Sequence, residues 1–200
     1  TARWRPRATP DPPPPGLPAG RRFVGTVGRL SIDKDMETLL DAFAAIAYAH
    51  TDVDLLVIGE GPERPALERR AAAGGLGERV RFLGHRGDTA DLYAAMDVFV
   101  LSSRTEGMPN TLLEAMAMGC PCVVTPVGGV AEIARDGVEA LFVPPGDAGA
   151  MAAALGRVLT DAALREGLGG AARVRVEGAF SFVRRVRRME EIYEGLARSP

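Results

Sequence analysis

From residue 22 onward, short apolar runs rich in β-branched residues alternate with helical patterns, and this alternation limits the fold most. The runs lie at 23–27, 53–58, 80–83, 98–101, 122–125 and 140–143. Helical patterns lie at 35–49, 62–74, 88–96, 110–118 and 128–134, with others near 147–159, 161–176 and 181–197. Strands alternating with helices pair in parallel and are covered on both faces. The expected architecture is one doubly wound, Rossmann-like α/β domain with a parallel sheet of about six strands, over residues 23–197. Residues 1–22 hold seven of the 15 prolines, including Pro12 to Pro15, and read as an extended arm rather than core.

Each run is followed closely by glycine or a loop-former: Gly28, then Gly59 and Gly61, Gly84, the segment 102–107, Gly128-Gly129, and Pro144-Pro145-Gly146. In a parallel sheet these segments share one edge, at the carboxyl ends of the strands, where such folds bind ligands. The first turn, Gly25-Thr-Val-Gly-Arg-Leu30, lacks the Gly-x-Gly-x-x-Gly dinucleotide spacing, and no Gly-x-x-x-x-Gly-Lys-Ser/Thr phosphate loop is present. The turn offers Arg29 and Lys34 instead. Lys34 is the only lysine, against 23 arginines. A planar guanidinium fork and a compact ammonium together suit a diphosphate. Asp33 and Asp35 flank the lysine, and pairing with these cations is the competing reading.

The fourth turn carries two carboxylates, Glu106 and Glu114, with seven residues between them. Gly107-Met-Pro109 breaks any helix there, which puts Glu106 in the loop and Glu114 in the first helical turns. A helix starting near Asn110 or Thr111 directs free N–H groups and a positive dipole end outward, toward a phosphate. Thr111-x-x-Glu114 also fits a capping box, so helix capping stays open as the role of Glu114.

Composition is that of an ordinary globular protein, with 46% hydrophobic and 25% charged residues. A net charge of −2 points to neither nucleic acid nor membrane as partner. No apolar run approaches the roughly 18 residues of a membrane span, and no signal peptide is visible, so a cytoplasmic location is expected. Cys120 and Cys122 share a face of a strand and read as small core residues. No convincing Asp-x-Asp metal pair sits at the expected site edge: Asp52 and Asp54 fall at the start of the second strand, the opposite edge, and Asp33-Lys-Asp35 flanks the lysine and reads as pairing with the cations. The segment 180–189 is basic and amphipathic. A solvated helix face, docking onto another domain, and peripheral contact with an anionic membrane remain open for it.

Several motifs occur in a fixed order. They are Gly28-Arg-Leu with Lys34, Gly59-Glu-Gly-Pro62, Val80-Arg-Phe-Leu-Gly84, and Ser103-x-x-Glu-Gly-Met-Pro-Asn-x-x-Leu-Glu-Ala-Met-Ala-x-Gly119. Gly128-Gly129 with Glu132-Ile, and Gly137 with Val143-Pro-Pro-Gly-Asp147, complete the set. Together they resemble the C-terminal, donor-binding domain of the group 1 (family-four) retaining glycosyltransferases of the GT-B fold, over roughly residues 22–197. The resemblance makes the arm an interdomain linker. It implies a nucleotide-diphosphate sugar as substrate, UDP before GDP, with no metal or other cofactor. Glu106 would touch the sugar hydroxyls and Glu114 the ribose. Backbone N–H groups of Gly107, Met108, Pro109, Asn110 and Thr111 (bar the proline) would line the sugar and diphosphate. Gly28, Arg29 and Lys34 would hold the diphosphate, with Arg29, Lys34 and Glu106 as the catalytic set. His85 would lie near the base, or serve only as a polar loop residue. Many relatives carry Gly where this chain has Asp35, which is expected to weaken diphosphate binding slightly. The family's N-terminal acceptor domain is absent, so the chain is expected to be half of a longer enzyme acting on a glycan or lipid-linked acceptor. A nucleotide-sugar epimerase of the same fold and a non-catalytic nucleotide-binding module are the alternatives.

Overall fold

The computed structural model describes residues 13–180 and residue 193. Its six strands are β1 (Arg22–Val27), β2 (Val53–Ile58), β3 (Val80–Gly84), β4 (Val98–Leu101), β5 (Cys122–Val124) and β6 (Ala140–Phe142). They form one sheet in the order β3-β2-β1-β4-β5-β6, and every neighbouring pair is parallel. The helices among the described residues are α1 (Met36–Ala47), α2 (Arg64–Ala73), α3 (Thr89–Ala95), α4 (Asn110–Ala117), α5 (Val130–Ile133), α6 (Ala148–Thr160) and α7 (Ala162–Ala179).

Side-chain alternation along the strands splits the core in two. Val24, Leu55, Val57, Val100 and Val123 face α1, α2 and α6, where Leu39, Phe43 and Leu155 meet them. Phe23, Leu56, Ile58, Phe99 and Val124 face the other layer, with Tyr93, Leu112, Met116, Val130 and Ala172. Strand β2 is buried along its whole length, as a strand covered on both faces must be. Helix α1 buries Leu39, Leu40, Phe43 and Ile46, a helical spacing. Full burial of each such side chain stabilises the fold by roughly 1.5–3 kcal/mol. Helices α6 and α7 start cleanly because Asp147 and Asp161 accept from Ala150 N (2.8 Å) and Leu164 N (2.9 Å). Each cap contributes about 1 kcal/mol.

Two expectations need adjusting. The arm is not wholly outside the core: Leu17 is 8% exposed and packs into the second cluster, after a turn closed by Leu17 N on Pro14 O (3.0 Å). Burying one leucine outweighs the extended preference of its proline neighbours. The 128–134 helix shrinks to Val130–Ile133, since Gly128 and Gly129 press against a neighbouring loop. The helix expected over 181–197 and residues 1–12 of the arm lie outside the described residues. Both cysteines are buried free thiols, as the sequence implied.

The strand order decides where a site can form. The chain leaves β1 toward β2 and β3, then returns to β4 on the other side of β1. Loop β1–α1 therefore turns to one face of the sheet and loop β4–α4 to the other. A crevice opens between them at the carboxyl edge, the topological switch point.

Candidate functional site

Lys34 ends a short 3-10 turn, Ile32–Lys34, which leads into α1 through Asp35. Asp35 has φ 47° and ψ 46°, the left-handed region, and is the only non-glycine with positive φ among the described residues. Its carboxylate does not pair with Lys34 or Arg29. It accepts from Thr38 Oγ1 (2.8 Å) and pairs with Arg104 Nε (3.0 Å). Asp33 stands 3.9 Å from Lys34 Nζ, a loose contact. A hydrogen bond from Ser31 holds the Asp33 carboxyl below its usual range, and the Lys34 and Arg29 charges add to that. Arg29 is exposed and makes no ion pair among the described residues.

The strongest contact of Lys34 reaches the other loop. Lys34 Nζ donates to Glu106 Oε1 at 2.8 Å, and Ser103 Oγ donates to the same oxygen at 2.6 Å. The Glu106 side chain is 8% exposed and that of Lys34 21%. Two further bonds stitch the loops together: Ser102 Oγ to Lys34 O and Arg104 N to Asp33 O, both 2.8 Å. A third loop supports Glu106 from behind. Gly129 N donates to Gly107 O at 2.9 Å, and a Cβ at Gly128 would overlap the Glu106 carbonyl oxygen.

Helix α4 starts at Asn110 after Pro109, with no side-chain cap. The capping box does not form, because Thr111 already lies inside the helix and Pro109 has no side-chain acceptor. Glu114 points to Tyr93 instead: the Tyr93 hydroxyl lies 3.1 Å from Glu114 Oε2 and 3.2 Å from Thr111 O.

A cavity of about 250 Å³ at the switch point is lined by Gly28, Arg29, Lys34, Glu106, Met108, Pro109, Asn110 and Thr111, over a floor that includes Thr26 and Ser102. An adjoining cavity of about 330 Å³ shares Val27, Gly28 and Arg29 and adds His85, Glu60 and Thr89. Eight of the expected site residues thus meet in one cavity, and His85 lies in its neighbour. Gly107 and Glu114 line neither; Glu114 sits one helical turn beyond Asn110 and Thr111, half-buried. A larger cavity, about 440 Å³, is at the opposite edge, between residues 13–23 and 94–97. It lies away from the switch point. Sequence reasoning missed Tyr93, and it missed the support given by Ser103 and Gly128. Tyr93 sat unmarked in an apolar helix pattern; Ser103 and Gly128 stood within motifs but carried no sign of their contacts with Glu106.

Residues 21–161 match the family model described as Glycosyl transferases group 1, and the chain belongs to that family of sugar-transferring enzymes. It is 37% identical over 164 residues to the lipopolysaccharide core biosynthesis glycosyltransferase LpsE of Rhizobium meliloti, covering 82% of this chain and 47% of that protein. It is 32% identical over 190 residues to the mannosyltransferase LpsB of the same organism, covering 92% and 54%. The chain spans about half the length of these relatives. Among solved structures, the C-terminal domain of the group 1 protein LpcC from Francisella tularensis superposes with a TM-score of 0.76 at 26% identity, covering 82% of this chain and 88% of that one. HepE of Anabaena, solved with UDP and glucose, gives 0.81 at 27% identity, covering 90% and 49%. The fold is that of a GT-B C-terminal domain.

Proposed function

We propose that this chain is the donor-binding half of a retaining glycosyltransferase that moves a sugar from a nucleotide-diphosphate sugar to a glycan or lipid-linked acceptor. The observation that carries the reading is the Lys34–Glu106 contact across the switch-point cavity, with Arg29 exposed beside it. Breaking the bond from anomeric carbon to phosphate builds negative charge on the leaving diphosphate. Arg29, Lys34 and the amino end of α4 offset that charge from fixed positions. Glu106 orients the sugar hydroxyls and eases positive charge near the anomeric carbon. As the diphosphate enters, Lys34 shares its charge between phosphate and Glu106. That frees capacity on the carboxylate for the sugar. With these cations in place the reaction proceeds without a metal.

The cavity beside His85 suits the base, and Glu114 the ribose. UDP is favoured over GDP, which HepE, solved with UDP, supports by likeness. The names of LpsE and LpsB support a cell-envelope glycan as acceptor. The acceptor site would come from the other half of a longer protein, working in the cytoplasm. Among the described residues no helix is long and apolar enough to cross a membrane.

Titration calorimetry of the 200-residue chain with UDP, GDP and their sugars tests the reading. Binding of at least one nucleotide diphosphate, weakened about tenfold or more by Lys34→Ala, is the expected result. No binding by any nucleotide would overturn the site. An activity assay on the longer protein separates a transferase from a silent binding module or an epimerase.

A further inference from the structure

We propose that Tyr93 is a positioning residue for Glu114 and through it sets the preference of the site for ribose over deoxyribose. The inference rests on the reading of Glu114 as the ribose contact. Tyr93 lies on α3, outside the sugar and phosphate loops, and is 1% exposed. Its ring packs on Phe99 of β4, with centroids 5.7 Å apart and planes at 58°. The ring is therefore fixed by the sheet and not by the nucleotide. Its hydroxyl reaches α4 at two acceptors, Glu114 Oε2 and the Thr111 carbonyl. A phenol has one proton to give, and an ionised carboxylate attracts it more strongly than a carbonyl. Burial pushes the phenol well above its ordinary range, and the Glu114 charge pushes it further, so Tyr93 stays protonated and stays a donor.

Glu114 is the fifth residue of α4, and a helical glutamate has three side-chain torsions to fix. Holding Oε2 on the hydroxyl of a ring packed against β4 restrains the plane of the carboxylate. A preset carboxylate binds a vicinal diol without losing that freedom on binding. A residue that acts this way has a specific signature. It affects ligands that carry ribose hydroxyls, and has little effect on ligands that lack them.

The test compares dissociation constants of UDP, 2′-deoxy-UDP and 3′-deoxy-UDP for the wild-type chain, Tyr93→Phe, Glu114→Ala and the double variant. Phe keeps the ring on Phe99 and removes only the hydroxyl. Wild type should bind UDP about tenfold more tightly than at least one deoxy analogue. Tyr93→Phe should weaken UDP several-fold, leave the affected analogue nearly unchanged, and so collapse the ratio. In the Glu114→Ala background the Tyr93→Phe effect should vanish. An unchanged ratio in Tyr93→Phe, whatever happens to its melting temperature, overturns the positioning role while leaving nucleotide binding intact. A wild-type ratio near one overturns the ribose role of Glu114, and the inference with it; no UDP binding at all overturns the functional reading itself. Fluorine NMR of the wild-type chain labelled with 3-fluorotyrosine provides a second measurement, independent of how the variant folds. The buried tyrosine resonance should shift more with UDP than with that analogue, and equal shifts count against the proposal.

Discussion

Lys34 and Glu106 hold each other at 2.8 Å while both are largely withdrawn from water, so each is costly to keep once the other is removed. Lys34→Ala should lower stability by about 1–3 kcal/mol, because Glu106 keeps its charge with only Ser103 as a side-chain donor. Adding Glu106→Gln should recover much of that stability and none of the diphosphate affinity. Thermal melts with UDP titrations on the single and double variants read both effects. Recovered affinity would mean that Lys34 serves only the fold. Asp35 behaves differently. Its carboxylate is committed to Arg104 and Thr38, which offsets the cost of its left-handed backbone. Asp35→Gly removes the ion pair and the strain together, so UDP affinity should stay within about twofold of wild type. The weakening expected from a negative charge beside the lysine is small for this reason. The sequence marked Lys34 and Glu106 as candidates through loop chemistry. It could not show that they touch, because 72 residues separate them and only the strand order brings them together.

At the scale of elements, the site is three loops pressed together at one edge. The strands were legible to within a residue or two because β-branched runs bounded by glycine have few other readings. Strand β5 ends at Val124, one residue earlier than its pattern, and Thr125 beyond it donates its hydroxyl to Ser103 O in the neighbouring loop. The order β3-β2-β1-β4-β5-β6 left no mark in the local pattern. Neither did the support from the β5 loop, since a glycine doublet reads the same whether it ends a strand or makes room for a neighbour. Gly128 does the second, with φ 54° and the Glu106 carbonyl where a Cβ would go. Gly137, with φ 69°, has open space around its Cβ direction. Gly137→Ala should therefore cost only the backbone strain, about 1 kcal/mol. Gly128→Ala should cost more and should also weaken UDP binding by displacing Glu106, whereas Gly137→Ala leaves binding unchanged. Melting curves and titrations on the pair decide it; equal effects would remove the β5 loop from the site.

Across the whole molecule the two edges of the sheet divide the work. The amino edge is closed by charge: Asp54, 1% exposed, is held by Arg21, by Arg79 at 3.4 Å and by Arg81 at 3.0 Å. Arg79 also ties down the end of α1 through Ala47 O (3.1 Å) and His50 O (2.6 Å). The carboxyl edge keeps Arg29 exposed and opens the cavity. Composition registered the arginine excess but not this sorting, which depends on strand ends brought together from distant parts of the chain. Two acidic groups at the amino edge, each just before a strand, respond to pH in opposite senses. Glu139 joins α5 to β6 and accepts from Arg135 N (2.9 Å) and its guanidinium, which holds the Glu139 carboxyl below its ordinary 4.5. A depressed folded-state value stabilises the fold above pH 4.5, and that contribution is lost as pH falls through the depressed value. Asp97 precedes β4 at the amino edge, and burial raises its carboxyl above 3.8 despite a hydrogen bond from Phe23 N (2.8 Å). A raised value means the reverse: the folded state favours the proton, and stability drops as pH climbs from 3.8 through the raised value. Urea denaturation of Glu139→Gln and Asp97→Asn between pH 3 and 7 should show the two signs. Glu139→Gln should cost about 1 kcal/mol or more at pH 7 and progressively less in acid. Asp97→Asn keeps an acceptor for Phe23 N and should gain on wild type as pH rises. Parallel pH profiles for the two variants would mean that one of these carboxyl groups is not held as its contacts indicate.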